Sequence, residues 1–263
     1  MDVKAKKSLG QNFLQDEHYL VRILETAEIV PTDKVFEVGP GTGALTEKLT
    51  KHAGKVVAVE LDPRMVEHLQ KLFVESEEVS ILEGNILDVD INELLEHAGF
   101  EAKEYKVVAN IPYYITAPII RTLLSLRLQP KSVTLMVQKE VAERMTAKPG
   151  AMSLLSLMTQ FYTDATLAFT VPKEAFLPVP KVDSAVVHLV VKRPYDPETD
   201  RSLFRLARAG FAARRKTLAN NLSSSLHLDH TVVESTLDTI GLRKDIRAQA
   251  LSMDDWERLR DSL

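Results

Sequence analysis

Between residues 34 and 137, five short runs rich in β-branched residues (34–38, 56–59, 79–82, 106–109 and 133–137) alternate with stretches of helical apolar spacing. The runs are too brief for helices, and the segments between them are long enough to carry a chain from one parallel strand to the next. This alternation predicts βαβ units around a mostly parallel sheet, an α/β fold. Helices are expected over 46–52, over 63–74 with Pro63 in the first turn behind Asp62, and over 117–126 with Thr116 as the N-cap.

Beyond Gln138 the pattern changes. A helix is expected over 152–162, followed by strands at 165–170 and 184–191 that form an antiparallel pair closing the sheet. Residues 192–197 carry Pro194 and Pro197 and read as a linker. Helical patterns at 203–211, 217–226, 231–237 and 254–263 follow with no strand between them. The expected organisation is therefore a sheet domain over 1–197, with residues 1–16 as an N-terminal arm, and a small all-helical domain over 198–263. At 263 residues the chain buries roughly three quarters of its unfolded surface and needs no staple.

The formal net charge of −4 hides an asymmetry: residues 201–263 hold 11 Lys and Arg against 8 Asp and Glu, so a mildly basic module follows an acidic body. The absence of cysteine removes thiolate catalysis, iron–sulfur clusters, cysteine-ligated zinc and disulfides, and fits a reducing, cytoplasmic setting. The seven histidines are scattered, with no pair at ligand spacing beside a carboxylate, so no metal is expected. No export signal or membrane span is read, and a monomer is expected.

Glu37-Val38-Gly39-Pro40-Gly41-Thr42-Gly43 ends the first run and opens a helix. Glycines at such a turn let the backbone approach a ligand more closely than any Cβ permits. The spacing is not the Gly-x-Gly-x-x-Gly of pyrophosphate sites, and an acid just before the loop suits a positively charged ligand without phosphate. Glu60 closes the second run at the sheet's carboxyl edge, where a carboxylate can accept from ribose hydroxyls; the alternative is an ion pair with Arg64. Asn85, after the third run, could meet an adenine amino group through its amide oxygen.

Asn110-Ile111-Pro112-Tyr113 after the fourth run is the most informative tetrapeptide. An aromatic exocyclic amine is a poor nucleophile until acceptors draw its N–H bonds toward tetrahedral geometry. Asn110 Oδ1 and the Ile111 carbonyl could be those acceptors, Pro112 fixes the turn, and Tyr113 can stack on a base for about 1–3 kcal/mol. Methylation makes the amine acidic as it reacts, so positioning and polar preorganisation suffice without a strong base.

The chain resembles the small-subunit rRNA adenine N6,N6-dimethyltransferases. Ordered matches are Lys7-Ser8-Leu9-Gly10-Gln11-Asn12-Phe13-Leu14, the glycine loop, Asn110 to Tyr113, Phe176-Leu177-Pro178-Val179-Pro180-Lys181-Val182-Asp183-Ser184, and Arg214-Arg215-Lys216-Thr217-Leu218-Ala219-Asn220-Asn221-Leu222. The resemblance implies a Rossmann-like class I methyltransferase fold with a helical C-terminal domain. It implies S-adenosylmethionine as methyl donor, S-adenosylhomocysteine as product, and two adjacent adenosines of the 3′-terminal small-subunit rRNA hairpin as target on an immature particle, with a role in ribosome biogenesis. Carried over by motif, Gln11, Asn12, Leu14, Gly39 and Gly41 surround the methionine end, Glu60 holds the ribose, and Asn85 and Asn110 complete the site. Asn85 departs from the family's usual Asp by one charge. Phe176 is expected to face Tyr113 across a flipped adenine, or else to pack in the core. Arg214, Arg215 and Lys216, at the start of a helix in the net-positive module, suit RNA phosphates, with a solvated face near a domain junction as the alternative and a mixed role expected. Two rivals share much of this pattern: the large-subunit rRNA dimethyltransferases of macrolide resistance, and a non-catalytic small-subunit assembly factor. The 214–222 run favours the small-subunit type. A nicotinamide oxidoreductase lacks its fingerprint here.

Overall fold

The computed structural model describes residues 5, 6 and 9–263; residues 1–4, Lys7 and Ser8, at the start of the expected arm, lie outside the described residues. The chain divides into two compact units, one of residues 1–142 and 164–192, the other of residues 143–163 and 193–263.

The first unit is built on a sheet. In chain order it runs β1 (Phe13–Leu14), α1 (Glu17–Thr26), β2 (Lys34–Val38), α2 (Ala44–His52), β3 (Lys55–Glu60), α3 (Pro63–Leu72), β4 (Val79–Glu83), α4 (Ile91–His97), β5 (Tyr105–Asn110), α5 (Thr116–Leu124) and β6 (Ser132–Gln138). After α6 (Lys139–Met145) and α7 (Leu154–Tyr162) come β7 (Thr163–Val171), β8 (Phe176–Leu177) and β9 (Ser184–Val191). The main sheet has strand order β4-β3-β2-β5-β6-β9-β7. β2 to β6 pair in parallel, as the alternating pattern requires, and β9 runs antiparallel to β6 and carries β7 at its outer side. The inner parallel strands are buried on both faces, which is why they read as continuous apolar runs. Lys106 is tolerated inside β5 because its ammonium meets Asp33 Oδ2 at 2.9 Å and the Glu28 carbonyl at 2.6 Å.

Chain order reverses between β2 and β5: β3 and β4 lie to one side, and everything from β5 on lies to the other. Such a switch opens a crevice at the strands' carboxyl ends. The arm is anchored beside it by a second, two-stranded sheet in which Phe13 and Leu14 of β1 pair antiparallel with Leu177 and Phe176 of β8. Leu14 and Phe176 share one core cluster with Leu20 and Ile23 of α1 and Val108 of β5.

The second unit is helical: α6's last turn and α7, then α8 (Pro197–Gly210), α9 (Leu218–Leu226), α10 (His230–Thr239) and α11 (Met253–Ser262). Asp196 caps α8 with Pro197 in its first turn, so the expected linker ends as a helix start. The division differs from the expected single boundary at residue 197 in two respects: the boundary falls at 192/193, and residues 143–163 also belong here. The cause lies in α7, whose side chains Leu155, Leu157, Phe161 and Tyr162 are all buried. Tyr162 donates to Asp200 Oδ1 of α8 at 2.9 Å, and the Arg193 guanidinium lies 4.2 Å from the Phe161 ring centre. Thr116 likewise differs from expectation: it opens α5 as a helical residue behind a single 3-10 turn, Tyr113–Ile115, and its hydroxyl donates back to the Tyr113 carbonyl at 3.2 Å.

Candidate active site

The crevice at the β2/β5 switch is an open cleft of about 1080 Å³. The glycine loop forms its floor. Gly39, Gly41 and Gly43 have φ of +69°, +58° and +87°, and a Cβ on Gly41 would stand 3.1 Å from the Phe13 ring, so here the arm lies directly on the loop. Phe13 also packs with Met65, Leu69 and Phe73, which clips the arm to α3 and its C-terminal end.

Three carboxylates surround this loop. Glu37 is 1% exposed, its Oε2 has no hydrogen-bond partner although the group borders the cleft, and burial together with the nearby Glu60 pushes its carboxyl up to about 8. Thr46 lies close enough to temper that rise, but its own hydroxyl is also left without a bond. Glu60, 6% exposed, accepts from the Gly41 N–H at 2.9 Å and the Asp62 N–H at 2.8 Å, one through each oxygen. Burial raises its pKa while those N–H groups oppose the rise. With two oxygens and about four lone-pair sites, the carboxylate keeps acceptor capacity for a hydroxyl donor. The alternative pairing of Glu60 with Arg64 is not what forms, because Arg64 takes Asp62 at 2.6 Å.

Asp62 is the residue sequence reasoning missed. It is fully buried, the Arg64 guanidinium holds its carboxyl well below the usual carboxylate range, and Gln11 Nε2 donates to it at 3.2 Å. Lys6 adds an ion pair at 3.4 Å, and its N–H meets Gln11 Oε1 at 2.7 Å. Gln11 thereby latches the arm to the end of β3. The sequence showed Asp62 only as the residue ahead of Pro63, and in the structure it is also the N-cap of α3.

Asn85 borders the cleft with its amide already oriented: Nδ2 donates to Asp88 at 2.7 Å and Oδ1 accepts the Leu87 N–H at 3.2 Å. Asn110 ends β5 and faces the same cleft with Ile111, Pro112 and Tyr113. Pro112 has φ −58°, within the range its ring enforces. Tyr113 is half-buried, with its hydroxyl 2.6 Å from Ser184 Oγ, and burial raises its pKa. Gln11, Asn12, Leu14, Gly39 and Gly41 are among the lining residues too.

Phe176 is not part of that wall. It is 3% exposed and packed with Leu14, Leu20 and Ile23, so the expected ring opposite Tyr113 is replaced here by core packing under the arm. Arg214, Arg215 and Lys216 lie in the second unit, exposed in the turn that precedes α9 rather than within a helix. Asn221 donates to the Gly210 carbonyl at 2.6 Å and the Ala213 carbonyl at 3.0 Å, which fixes that turn within its own unit. The sequence reading also passed over Arg201, Arg205 and Arg208, which are exposed along one face of α8. No ion pair forms at any of these six cations among the described residues.

The ribosomal RNA adenine dimethylase family model matches residues 2–263. The chain is 44% identical over 259 residues to the ribosomal RNA small subunit methyltransferase A of Dehalococcoides mccartyi, covering 98% of this chain and 88% of that protein. Among solved structures it is similar to a dimethyladenosine transferase from Plasmodium falciparum, with a TM-score of 0.78, 27% identity, and coverage of 94% of this chain and 95% of that one. The 23S rRNA methyltransferase ErmE gives a TM-score of 0.74 at 27% identity, covering 95% of this chain and 99% of that one. With a mostly parallel sheet, a glycine loop and an Asn-Ile-Pro-Tyr turn meeting at its switch point, and a family match along nearly its whole length, the chain belongs to the ribosomal RNA adenine dimethylase family of class I methyltransferases.

Proposed function

We propose that this chain dimethylates N6 of two adjacent adenosines in the 3′-terminal hairpin of small-subunit rRNA, on a small-subunit particle, with S-adenosylmethionine as donor. The observation that carries the reading is the meeting of the glycine loop and the Asn110-Ile111-Pro112-Tyr113 turn in one cleft. The name of the 44% identical relative supports small-subunit RNA as the target. A reaction of this kind belongs where small subunits are assembled, in the cytoplasm.

The cleft's donor set fits the cofactor. A ligand bearing an ammonium and a sulfonium, and no phosphate, complements a buried carboxyl group whose Oε2 has no partner among the described residues, and the ligand's positive charge would favour its ionised form. Gln11, Asn12, Leu14, Gly39 and Gly41 would enclose its methionine end, Glu60 would accept from the ribose through its remaining lone pairs, and Asn85 would meet the adenine. Bound there, S-adenosylmethionine supplies an electrophilic methyl group. Asn110 Oδ1 and the Ile111 carbonyl accept the N–H bonds of the incoming amine, Pro112 holds those acceptors in place, and Tyr113 gives the base a face to stack on. The proton shed as the N–C bond forms passes to water, because the methylated amine is strongly acidic until it loses it.

RNA phosphates would be met by Arg214, Arg215 and Lys216, joined by Arg201, Arg205 and Arg208. The last three stand at i, i+4 and i+7 on α8, a span of about 10 Å of helix. The deciding experiment measures labelled methyl transfer to unmethylated small-subunit particles and, in parallel, to naked large-subunit rRNA. N6,N6-dimethyladenosine from the particles alone is expected. Product on large-subunit RNA moves the assignment to the ErmE-like activity, and cofactor binding without product on either RNA marks an assembly factor.

A further inference from the structure

Tyr113 is the aromatic surface the cleft offers to a base, yet its backbone sits in a single 3-10 turn, Tyr113–Ile115, that fixes little of the ring's attitude. What fixes the ring is its other end. The hydroxyl lies 2.6 Å from Ser184 Oγ, and Ser184 is fully buried as the first residue of β9.

Ser184 is itself held from several sides. It stands opposite Gln138 in the β6/β9 ladder, and the preceding Asp183 accepts the Lys139 N–H through its carbonyl at 3.0 Å and the Lys173 N–H through its carboxylate at 3.1 Å. β6 also pairs with β5, where Asn110 stands opposite Met136. Three adjacent strands thus carry both the amine's acceptor and the anchor of the stacking ring, so their separation is set by sheet geometry rather than by the loop. A site on strands holds its geometry more closely than one on loops.

We propose that Ser184 is a positioning residue for methyl transfer, acting through the Tyr113 hydroxyl to set the ring plane that presents the adenine amine to Asn110. The proposal rests on the reading above, in which Tyr113 stacks on the target base. A ring tethered only at Cβ swings about two side-chain torsions. A second tether at the hydroxyl removes that freedom before the base arrives, and small misplacements of a reacting group carry large rate penalties.

The test is a double-mutant cycle of Ser184→Ala, Tyr113→Phe and the combination. It is read as kcat and KM for small-subunit particles, with cofactor affinity measured by calorimetry and the unfolding midpoint measured separately. Each single variant is expected to lose about tenfold in kcat/KM with cofactor affinity unchanged, and the double variant to be no worse than either single. A serine that only packs the core would instead cost the same in the Tyr113→Phe background as in the wild type, and that additivity overturns the proposal. If Ser184→Ala does not fold, Tyr113→Phe decides, since it removes the same hydrogen bond from the cleft side and its full activity also overturns the proposal. A wild-type protein that transfers no methyl group to adenosine overturns the parent reading and this inference together, whereas transfer with additive variants overturns this inference alone.

Discussion

The two compact units treat charge in opposite ways. The sheet unit gathers Glu37, Glu60 and Asp62 near the glycine loop, all buried, and surrounds two of them with backbone N–H groups, the Gln11 amide and Arg64. The helical unit pairs Arg193, Arg243, Arg258 and Arg260 with carboxylates, yet leaves Arg201, Arg205, Arg208, Arg214, Arg215 and Lys216 facing water. Buried carboxylates suit a small cationic ligand taken out of water, whereas exposed, unpaired cations suit a polyanion that sheds counterions on contact. A net charge of −4 averages these two surfaces and describes neither.

That contrast can be broken first in the sheet unit. Asn110→Ala removes the acceptor proposed for the reacting amine, and kcat is expected to fall by roughly 10²–10³-fold with particle binding retained, as single-turnover methyl transfer would show. Equal losses in kcat and in particle affinity would mean that the cleft also grips the RNA. Glu37 sharpens the comparison next. Its folded pKa of about 8 lies above the unfolded value, so the protonated side chain stabilises the fold fully below pH 4.5, and that stability drains away as pH rises through 8. The ligand-free wild type is expected to lose up to a few kcal/mol between pH 5 and 8 through this group, and Glu37→Gln to flatten the profile in thermal unfolding scans. The smallest effect belongs to the helical unit. Replacing Arg201, Arg205 and Arg208 together with Gln is expected to raise KM for the particle about tenfold while leaving kcat and cofactor affinity alone. The slope of log binding constant against log salt should become shallower by about 2. An unchanged slope would return these arginines to an ordinary solvated face.

Much of the sheet could be read from the sequence because parallel strands buried on both faces announce themselves as β-branched runs, and 34–38 and 133–137 lie within a residue of β2 and β6. The glycine loop and the Asn110 turn were legible because their chemistry is local. What depended on a distant partner was not. β1 and β8 are two residues each and exist only as each other's partner. α7 lies between the sheet strands β6 and β7 in sequence but packs against α8 in space, which is why a single cut at residue 197 missed it. Asp62 read only as the residue before a helix because the groups that give it a further role, Lys6 and Gln11, lie more than fifty positions upstream. The arginines of α8 were visible at helical spacing, but only the structure shows that all three face outward without a carboxylate.

The pairing of β1 with β8 has a consequence for the order of events during synthesis. Phe13 and Leu14 are made about 160 positions before their ladder partners Leu177 and Phe176. The strands β2 to β6 are all made by Gln138, so their parallel pairing can begin while the arm still has no strand to join. The cover that Phe13 lays on Gly41 therefore closes only after the parallel strands have been made, and a chain cut short before Phe176 carries the glycine loop without the strand that anchors its cover.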